Sequence, residues 1–132
     1  MSNEVYPLLL EYFIEFLINN DVKASLINTS SYTYTPSTDK YYSVIPSNAI
    51  IASGVSLINK RGSLGSLMAD PTTWDNVSGN SVGAVVLYQD TGNPATSRLV
   101  SFLDTITGLP LTPNGSSIQI NWDTTNGYIF KL

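Results

Sequence analysis

The last third of the chain alternates between short apolar runs and clusters of turn-forming residues. Four runs are rich in apolar and β-branched residues, at residues 82–89, 97–105, 117–123 and 127–132. Glycine and proline separate the first three runs, with one of each in the first gap and two of each in the second. This spacing predicts four strands joined by turns and an irregular loop. We expect these strands to form one contiguous core in which five side chains are nearly fully buried: Leu87, Leu99, Ile120, Trp122 and Phe130.

The N-terminal segment has a helical pattern instead. Residues 5–18 are the most apolar stretch of the chain, and Pro7 fits a first helical turn. Glu11 and Glu15 are four residues apart, so they share one face. Because this polar stripe is narrow, we expect most of the circumference of the helix to be buried.

Both ends of this helix carry residues typical of caps. Ser2 or Asn3 is the expected N-cap, and the asparagine pair at residues 19–20 fits the C-terminal end, since Asn tolerates a left-handed backbone. The apolar stretch is too short to cross a bilayer. A helix lying on a membrane surface is the alternative, but it would favour Lys or Arg on the polar face, and this segment has neither. We therefore expect no membrane partner.

Two more strands and two loops are predicted between the helix and the C-terminal hairpins. Residues 22–28 alternate as a half-buried strand does, and residues 49–58 are apolar with a break at Gly54 that indicates a bulge or turn. Residues 59–81 are predicted to be a loop whose large side chains pack onto the core: Leu64, Leu67, Met68 and Trp74. The prediction is one mostly β domain, with a helix in residues 1–20 that could serve as an assembly arm and an antiparallel β-sandwich of about seven short strands in residues 21–132.

Residues 29–48 hold four of the eight tyrosines of the chain. Two interpretations remain open for this tyrosine-rich stretch. It is either an exposed loop with half-packed rings, or a contact surface, because tyrosine buries a large area at low entropic cost and keeps a polar tip. The second interpretation, combined with the apolar helix, predicts an assembly interface that contains Leu9, Tyr12, Phe13, Phe16, Tyr32, Tyr34, Tyr41 and Tyr42.

Composition narrows the classes of partner. Charged residues make up 12% of the chain, about half the share of an average globular protein, and polarity comes from Ser, Thr, Asn and Gly. Such a surface can be covered by a neighbour with few ions to desolvate. The net charge is −4 and the six basic residues are scattered, unlike the clustered basic face that nucleic acid requires. We therefore expect protein partners and no nucleic acid.

The residues offer little for catalysis. The chain has no Cys and no His, which removes thiol chemistry, the commonest metal ligand and the usual general base. Residues 90–92 match the Asp-Thr-Gly tripeptide of aspartic proteases, whose chemistry needs two carboxylates that share one proton. Here the tripeptide lies between two predicted strands and precedes Asn93 and Pro94, which is typical of a hairpin turn. We therefore predict no enzymatic activity, no catalytic residue and no cofactor.

Five aspartates at predicted strand ends or in loops raise the alternative of a hard-cation site: Asp70, Asp75, Asp90, Asp104 and Asp123. Carboxylate and carbonyl oxygens are the ligands that Ca²⁺ prefers. The spacing is not that of an EF-hand, and aspartate is a common turn former. Turn formation is therefore the favoured interpretation, and we predict no metal site.

Five motifs in the last third resemble those of a known protein family. In order and spacing they are AVVLYQDTG, ATSRLVSFLDT, TGLPLTPNG, INWD and the terminal IFKL. Together they resemble a family of small structural proteins from tailed-bacteriophage virions. The resemblance covers residues 84–132 well and extends loosely to residues 42–54, whereas residues 60–76 depart from the family's more acidic pattern.

The resemblance implies a virion component without catalytic residues, assembled in the host cytoplasm. The leading expectation is a capsid cement or decoration protein that binds the major capsid protein through many weak contacts. One alternative is a tail, neck or fibre-base component, and another is a module that binds host glycans through the tyrosine-rich stretch. The apolar helix adds the expectation of a shared surface, either in a dimer or trimer of this chain or against another virion protein.

Overall fold

The computed structural model describes residues 3–122 and 127–132. In this part of the chain one α-helix, α1 (Pro7–Asn19), precedes eight strands. The strands are β1 (Val22–Ile27), β2 (Ile50–Ser56), β3 (Ser66–Leu67), β4 (Thr72–Trp74), β5 (Ala84–Gln89), β6 (Arg98–Leu103), β7 (Ile118–Ile120) and β8 (Phe130–Lys131). Their pairings are antiparallel. The predicted mostly β sandwich with an N-terminal helix is confirmed.

One layer is a four-stranded sheet in the order β2-β1-β5-β6, and the other consists of two ribbons, β3-β8 and β4-β7. The strands of the last third therefore belong to both layers, but they line one core, as predicted, because β5, β6, β7 and β8 all contribute side chains to the larger core. β5 and β6 pair with each other, but β7 and β8 pair with two strands from the segment that was predicted to be a loop. Strands of two or three residues are too short to show a recognisable alternation.

The four-stranded sheet is covered on both faces. Alternate residues of β1 and β5 point to opposite sides. Val22, Ala24 and Leu26 face the larger core with Val85 and Leu87, where the two ribbons and Ile14 of α1 also pack. Ile27, Val86 and Tyr88 face a second core, which the tyrosine-rich stretch covers. This explains why β5 is an uninterrupted apolar run, as sheets buried on both faces require.

Three of the five side chains predicted to be buried are in the core. Leu87, Ile120 and Trp122 are at most 4% exposed. Leu99 and Phe130 are only partly buried, so the prediction is wrong for these two. Leu99 lies on the edge strand β6 beside an irregularity in the pairing with β5, and Phe130 lies on a two-residue ribbon.

α1 ends at the predicted asparagine pair, but both of its caps differ from the prediction. Tyr6 occupies the N-cap position and makes no capping hydrogen bond, so the cap at Asn3 is wrong, while Ser2 lies outside the described residues. At the other end Asn20 is extended rather than left-handed. Its side-chain amide donates to the carbonyl oxygen of Phe16 at 2.8 Å. The side chain therefore satisfies a carbonyl that a left-handed cap would satisfy through the backbone.

Of the two alternatives predicted at Gly54, a bulge or a turn, the bulge is present in β2. The pairing of β1 with β2 shifts register between Ala24 and Leu26, opposite this glycine. A Cβ at residue 54 would collide with the hydroxyl oxygen of Tyr88. Gly54 therefore allows the backbone and the Tyr88 ring to approach closely.

The predicted loop 59–81 places two of its four large side chains in the core. Leu67 and Trp74 are buried and Met68 is partly buried. Leu64 is 47% exposed with a left-handed backbone (φ 50°), so its predicted packing is wrong. The indole N–H of Trp74 donates to the carbonyl oxygen of Ala24 at 3.1 Å and so ties β4 to the main sheet.

Candidate assembly surface

Helix α1 has two apolar stripes on opposite sides. One faces the domain, where Ile14 is fully buried and three neighbours are partly buried: Leu10, Leu17 and Ile18. The other, which we call the outer stripe, follows the i, i+3, i+4, i+7 spacing and consists of Leu9, Tyr12, Phe13 and Phe16. These four side chains are 48–64% exposed. A helix that packs on one neighbour normally has only the first stripe.

The prediction that most of the helix circumference is buried is therefore wrong within this chain. The helix packs beside β3, and the Cβ of Leu10 lies 3.3 Å from a Cβ built at Gly65. One layer covers only about a third to a half of a helix. No described loop folds over the other side, since Phe13 and Phe16 are both about half exposed.

The outer stripe is aromatic and has an acidic border. The rings of Tyr12 and Phe13 meet edge to face with their centroids 6.0 Å apart. Tyr12 and Phe16 also line a shallow depression of about 260 Å³ together with Glu15. The helix contains no Lys or Arg. An apolar groove with basic residues at its rim is therefore the complementary surface.

Tyr32 and Tyr42, in contrast, are core residues. They are 7% and 8% exposed and pack in the second core. The Tyr42 ring stacks on Tyr88 with centroids 3.9 Å apart, and its hydroxyl shares a 2.7 Å hydrogen bond with Ser25. Burial raises the pKa of Tyr42 to about 12. Both tyrosines are therefore removed from the predicted interface, because the sheet face opposite the larger core needs large side chains to cover it.

Tyr34 and Tyr41 remain accessible, but on the other side of the molecule from α1. Tyr34 is 51% exposed and stacks on Phe102. Tyr41 is partly buried and carries Lys40 above its ring, 5.3 Å from the centroid. The tyrosine-rich stretch covers one face of the main sheet and α1 joins the core on the other face. The eight predicted interface residues therefore do not form one surface.

Two side chains near Tyr34 were not among the predicted site residues. Phe102 on β6 provides the ring beneath Tyr34, and the carboxylate of Asp39 accepts a hydrogen bond from the Tyr32 hydroxyl at 2.5 Å. Burial, and then this hydrogen bond, raise the pKa of Tyr32, so the hydroxyl remains the donor. The seven-residue separation of Tyr32 and Asp39 in a Ser/Thr/Pro loop is a weak sequence signal for this contact, and Phe102 has none.

The Asp-Thr-Gly tripeptide lies in the hairpin between β5 and β6, as predicted. Asp90 accepts from the Gly92 N–H at 3.0 Å and pairs with Lys23 at 2.9 Å. A second carboxylate, that of Asp21, lies 4.0 Å from the same ammonium. A lysine thus lies between the two acids, whereas an aspartic protease needs two carboxylates that share one proton.

This ion pair makes stability depend on pH. The bond to Lys23, and then the Gly92 N–H, hold the pKa of Asp90 below its usual value. The stabilisation from the ion pair is complete above the pKa of an aspartate in the unfolded chain, about 3.9. It is lost as pH falls through the lower pKa that Asp90 has in the folded state. Because both side chains are partly solvated, we expect Asp90→Asn to lower the free energy of unfolding at pH 7 by no more than about 1 kcal/mol.

Urea denaturation of the wild type and of Asp90→Asn at pH 7 and pH 3 measures this effect. The difference at pH 7 should shrink at pH 3, where the wild-type carboxylate is becoming protonated. Asp104→Asn is the matched control, since Asp104 is exposed and forms no ion pair within the described residues. A difference that grows toward pH 3 would show that Asp90 does not act through its charge.

The other aspartates are dispersed. Asp70 pairs with Arg61 at 3.1 Å, and Asp75 accepts from Ser117 at 3.0 Å. No group of three or more acidic residues in the described ranges could hold a metal ion, and Asp123 lies outside those ranges. The turn-forming interpretation accounts for Asp90, whose carboxylate accepts from the backbone two residues ahead.

Comparison with known proteins adds no relative. No protein-family model matches the chain, and no curated protein matches it. The described part of the chain also contains no helix long and apolar enough to cross a membrane. The most unusual surface of the described residues is the outer stripe of α1, where four large apolar side chains are exposed.

Proposed function

We propose that the protein is a non-enzymatic structural component of a tailed-bacteriophage particle, attached through the outer stripe of α1. The observation that carries the proposal is four large apolar side chains at helical spacing, each about half exposed or more. Contiguous exposed apolar patches of this kind mark interaction sites. Helices that lie in a groove use the same i, i+3, i+4, i+7 anchors. The resemblance of residues 84–132 to small structural proteins of tailed-bacteriophage virions supports a phage particle as the assembly.

The partner we propose is another particle protein, with the major capsid protein as the leading candidate. Pairing of two α1 helices would bring Glu11 and Glu15 of both copies together with no basic residue on either helix. Like charges at an interface oppose association. A groove with Lys or Arg at its rim pairs with these carboxylates instead, so we place a dimer or trimer of this chain second.

A role as capsid cement is also supported by the rest of the surface. Only 12% of the residues are charged, so little ionic hydration is lost when the protein is packed into a lattice. Many identical weak contacts across a shell add up to firm attachment. A tail, neck or fibre-base component would use the same helix at few positions, so copy number separates the two roles.

Purified particles of the phage that encodes the chain provide the test. We expect quantitative mass spectrometry to find the chain at a fixed, high ratio to the major capsid protein, and cryo-electron microscopy to place its density on the shell with α1 against the lattice. A few copies per particle would favour the tail or neck role over cement. Absence of the chain from purified particles would refute the proposal.

A further inference from the structure

A cleft on the side of the main sheet opposite α1 has the features of a small ligand site. It has a volume of about 130 Å³. One wall comes from the tyrosine-rich stretch, with Tyr32, Tyr34 and Asp39, and the other from β6, with Ser101 and Phe102. We propose that this cleft binds one ring of a neutral saccharide, with Tyr34 as the stacking platform and Asp39 as the hydroxyl acceptor.

The aromatic platform is flat and accessible. The rings of Tyr34 and Phe102 are nearly parallel, with an angle of 4° between their planes and 4.5 Å between their centroids. Phe102 therefore supports one face of Tyr34, while about half of the Tyr34 surface remains exposed. A pyranose has an aliphatic C–H face that packs on such a ring, and binding sites of this type combine apolar walls with a few placed polar groups.

The polar groups of the cleft have hydrogen-bonding capacity to spare. One oxygen of Asp39 accepts from the Tyr32 hydroxyl at 2.5 Å and from the Thr35 N–H at 3.1 Å. Within the described residues the other Asp39 oxygen has no partner, nor do the hydroxyls of Tyr34 and Ser101. A carboxylate that accepts from a sugar hydroxyl forms a charge-assisted bond, which is stronger than one between neutral groups.

The platform is held in place before any ligand arrives. The loop that carries it is closed by the Asp39 N–H, which donates to the Thr35 carbonyl oxygen at 2.9 Å, and by the Thr38 N–H, which donates to the same oxygen at 3.1 Å. Together with the Tyr32–Asp39 bond, these contacts fix the carboxylate relative to the ring. Fixing the site in advance lowers the entropic penalty of binding.

Size and charge favour a sugar ring over other ligands. The cleft is smaller than the roughly 300–1,000 Å³ of a typical drug-sized site, so it admits one ring while the rest of the ligand lies outside. A more open depression of about 490 Å³ shares Tyr34 and Phe102 and could hold the next ring. An anionic ligand is less suited, because the carboxylate of Asp39 would repel it, whereas a neutral saccharide can donate a hydroxyl to that carboxylate.

The purified chain is sufficient for the test. We would titrate it with the trisaccharides of glucose in α- and β-linkage and of N-acetylglucosamine, and screen it on a neutral glycan array. Tyr34→Ala should weaken the binding of any saccharide found by about tenfold or more, since it removes the stacking surface. Tyr6→Ala is the matched control, because Tyr6 is an exposed tyrosine at the start of α1, outside the cleft and the outer stripe, and its loss should leave binding unchanged.

Three results would overturn the proposal. They are no binding by the array or the trisaccharides, binding that Tyr34→Ala leaves unchanged, and Tyr34-dependent binding of a lysine- or arginine-containing tripeptide in place of a saccharide. Tyr34 is exposed, so circular dichroism should show a folded variant, and Ser101→Ala provides a second variant in the cleft. Because the saccharide test involves no particle, a negative result would not contradict the docking of α1. Absence of the chain from purified particles would likewise not contradict saccharide binding in the cleft.

Discussion

Trp122→Ala is expected to lower the free energy of unfolding by about 3–5 kcal/mol, which is the range for removing a large aromatic side chain from a core. Trp122 is 3% exposed and packs in the larger core with Ile118 and Ile120, which precede it at alternate positions along β7. The cavity would lie between the two layers, where rigid strands on both sides limit collapse. Urea denaturation followed by far-ultraviolet circular dichroism should show a midpoint lower by roughly 2 M.

Phenylalanine substitutions separate the packing of the two buried tryptophans from their hydrogen bonding. The Trp122 indole N–H has no partner within the described residues, whereas that of Trp74 donates to Ala24. Trp122→Phe removes an unsatisfied polar group and should cost less than about 1.5 kcal/mol. Trp74→Phe loses the hydrogen bond to Ala24 in addition to packing, so it should lower the free energy of unfolding by more than Trp122→Phe does. Equal effects, or a neutral Trp122→Ala, would contradict this description of the core.

The sequence was sufficient for the longer elements. α1, β1, β5 and β6 each contain six or more residues, so their apolar periodicity is recognisable without knowledge of their neighbours. The same holds for the hairpin between β5 and β6, because glycine and proline mark its turn. What these patterns do not contain is the order of the sheet, in which β1 lies between β2 and β5.

The second layer could not be predicted from local pattern. β3 and β4 lie in the middle of the chain and contain two and three residues, whereas their partners β8 and β7 lie near the C-terminus. Leu67 and Trp74 gave a correct signal of burial, but burial alone does not distinguish a strand from a tucked loop. Pairing across such distances is determined by tertiary packing, which overrides weak local preference.

Of the candidate assembly surface, the helical residues could be predicted from the sequence and the tyrosines could not, again because only a long element has a recognisable period. The outer stripe of α1 follows from the helical period, since four large apolar residues recur where a surface helix is normally polar. The tyrosines have no such period, and their burial depends on the partner strand. β1 was predicted to be a half-buried strand, but its Ser25 is fully buried in the second core and shares a hydrogen bond with Tyr42.

Replacing both Phe13 and Phe16 with serine should reduce incorporation into particles by about 30-fold or more, because the loss of a single aromatic hot spot from a protein interface costs about 2 kcal/mol or more. The two side chains lie one turn apart on the outer stripe, and each is about half exposed. Their loss should therefore change the folding stability of the isolated domain by no more than about 0.5 kcal/mol. Particles assembled without the wild-type chain, with each variant supplied in trans, allow incorporation to be measured per capsid protein.

The control and the oligomeric state make this experiment decisive. Val44→Ser is the matched control, because Val44 is 41% exposed in the tyrosine-rich stretch on the other face of the main sheet from α1, and it should be incorporated as the wild type is. If the stripe instead joins copies of this chain, light scattering should show a wild-type dimer or trimer that the double variant converts to a monomer. A wild type that is monomeric at high concentration, with full incorporation of the double variant, would exclude the outer stripe as a contact of either kind.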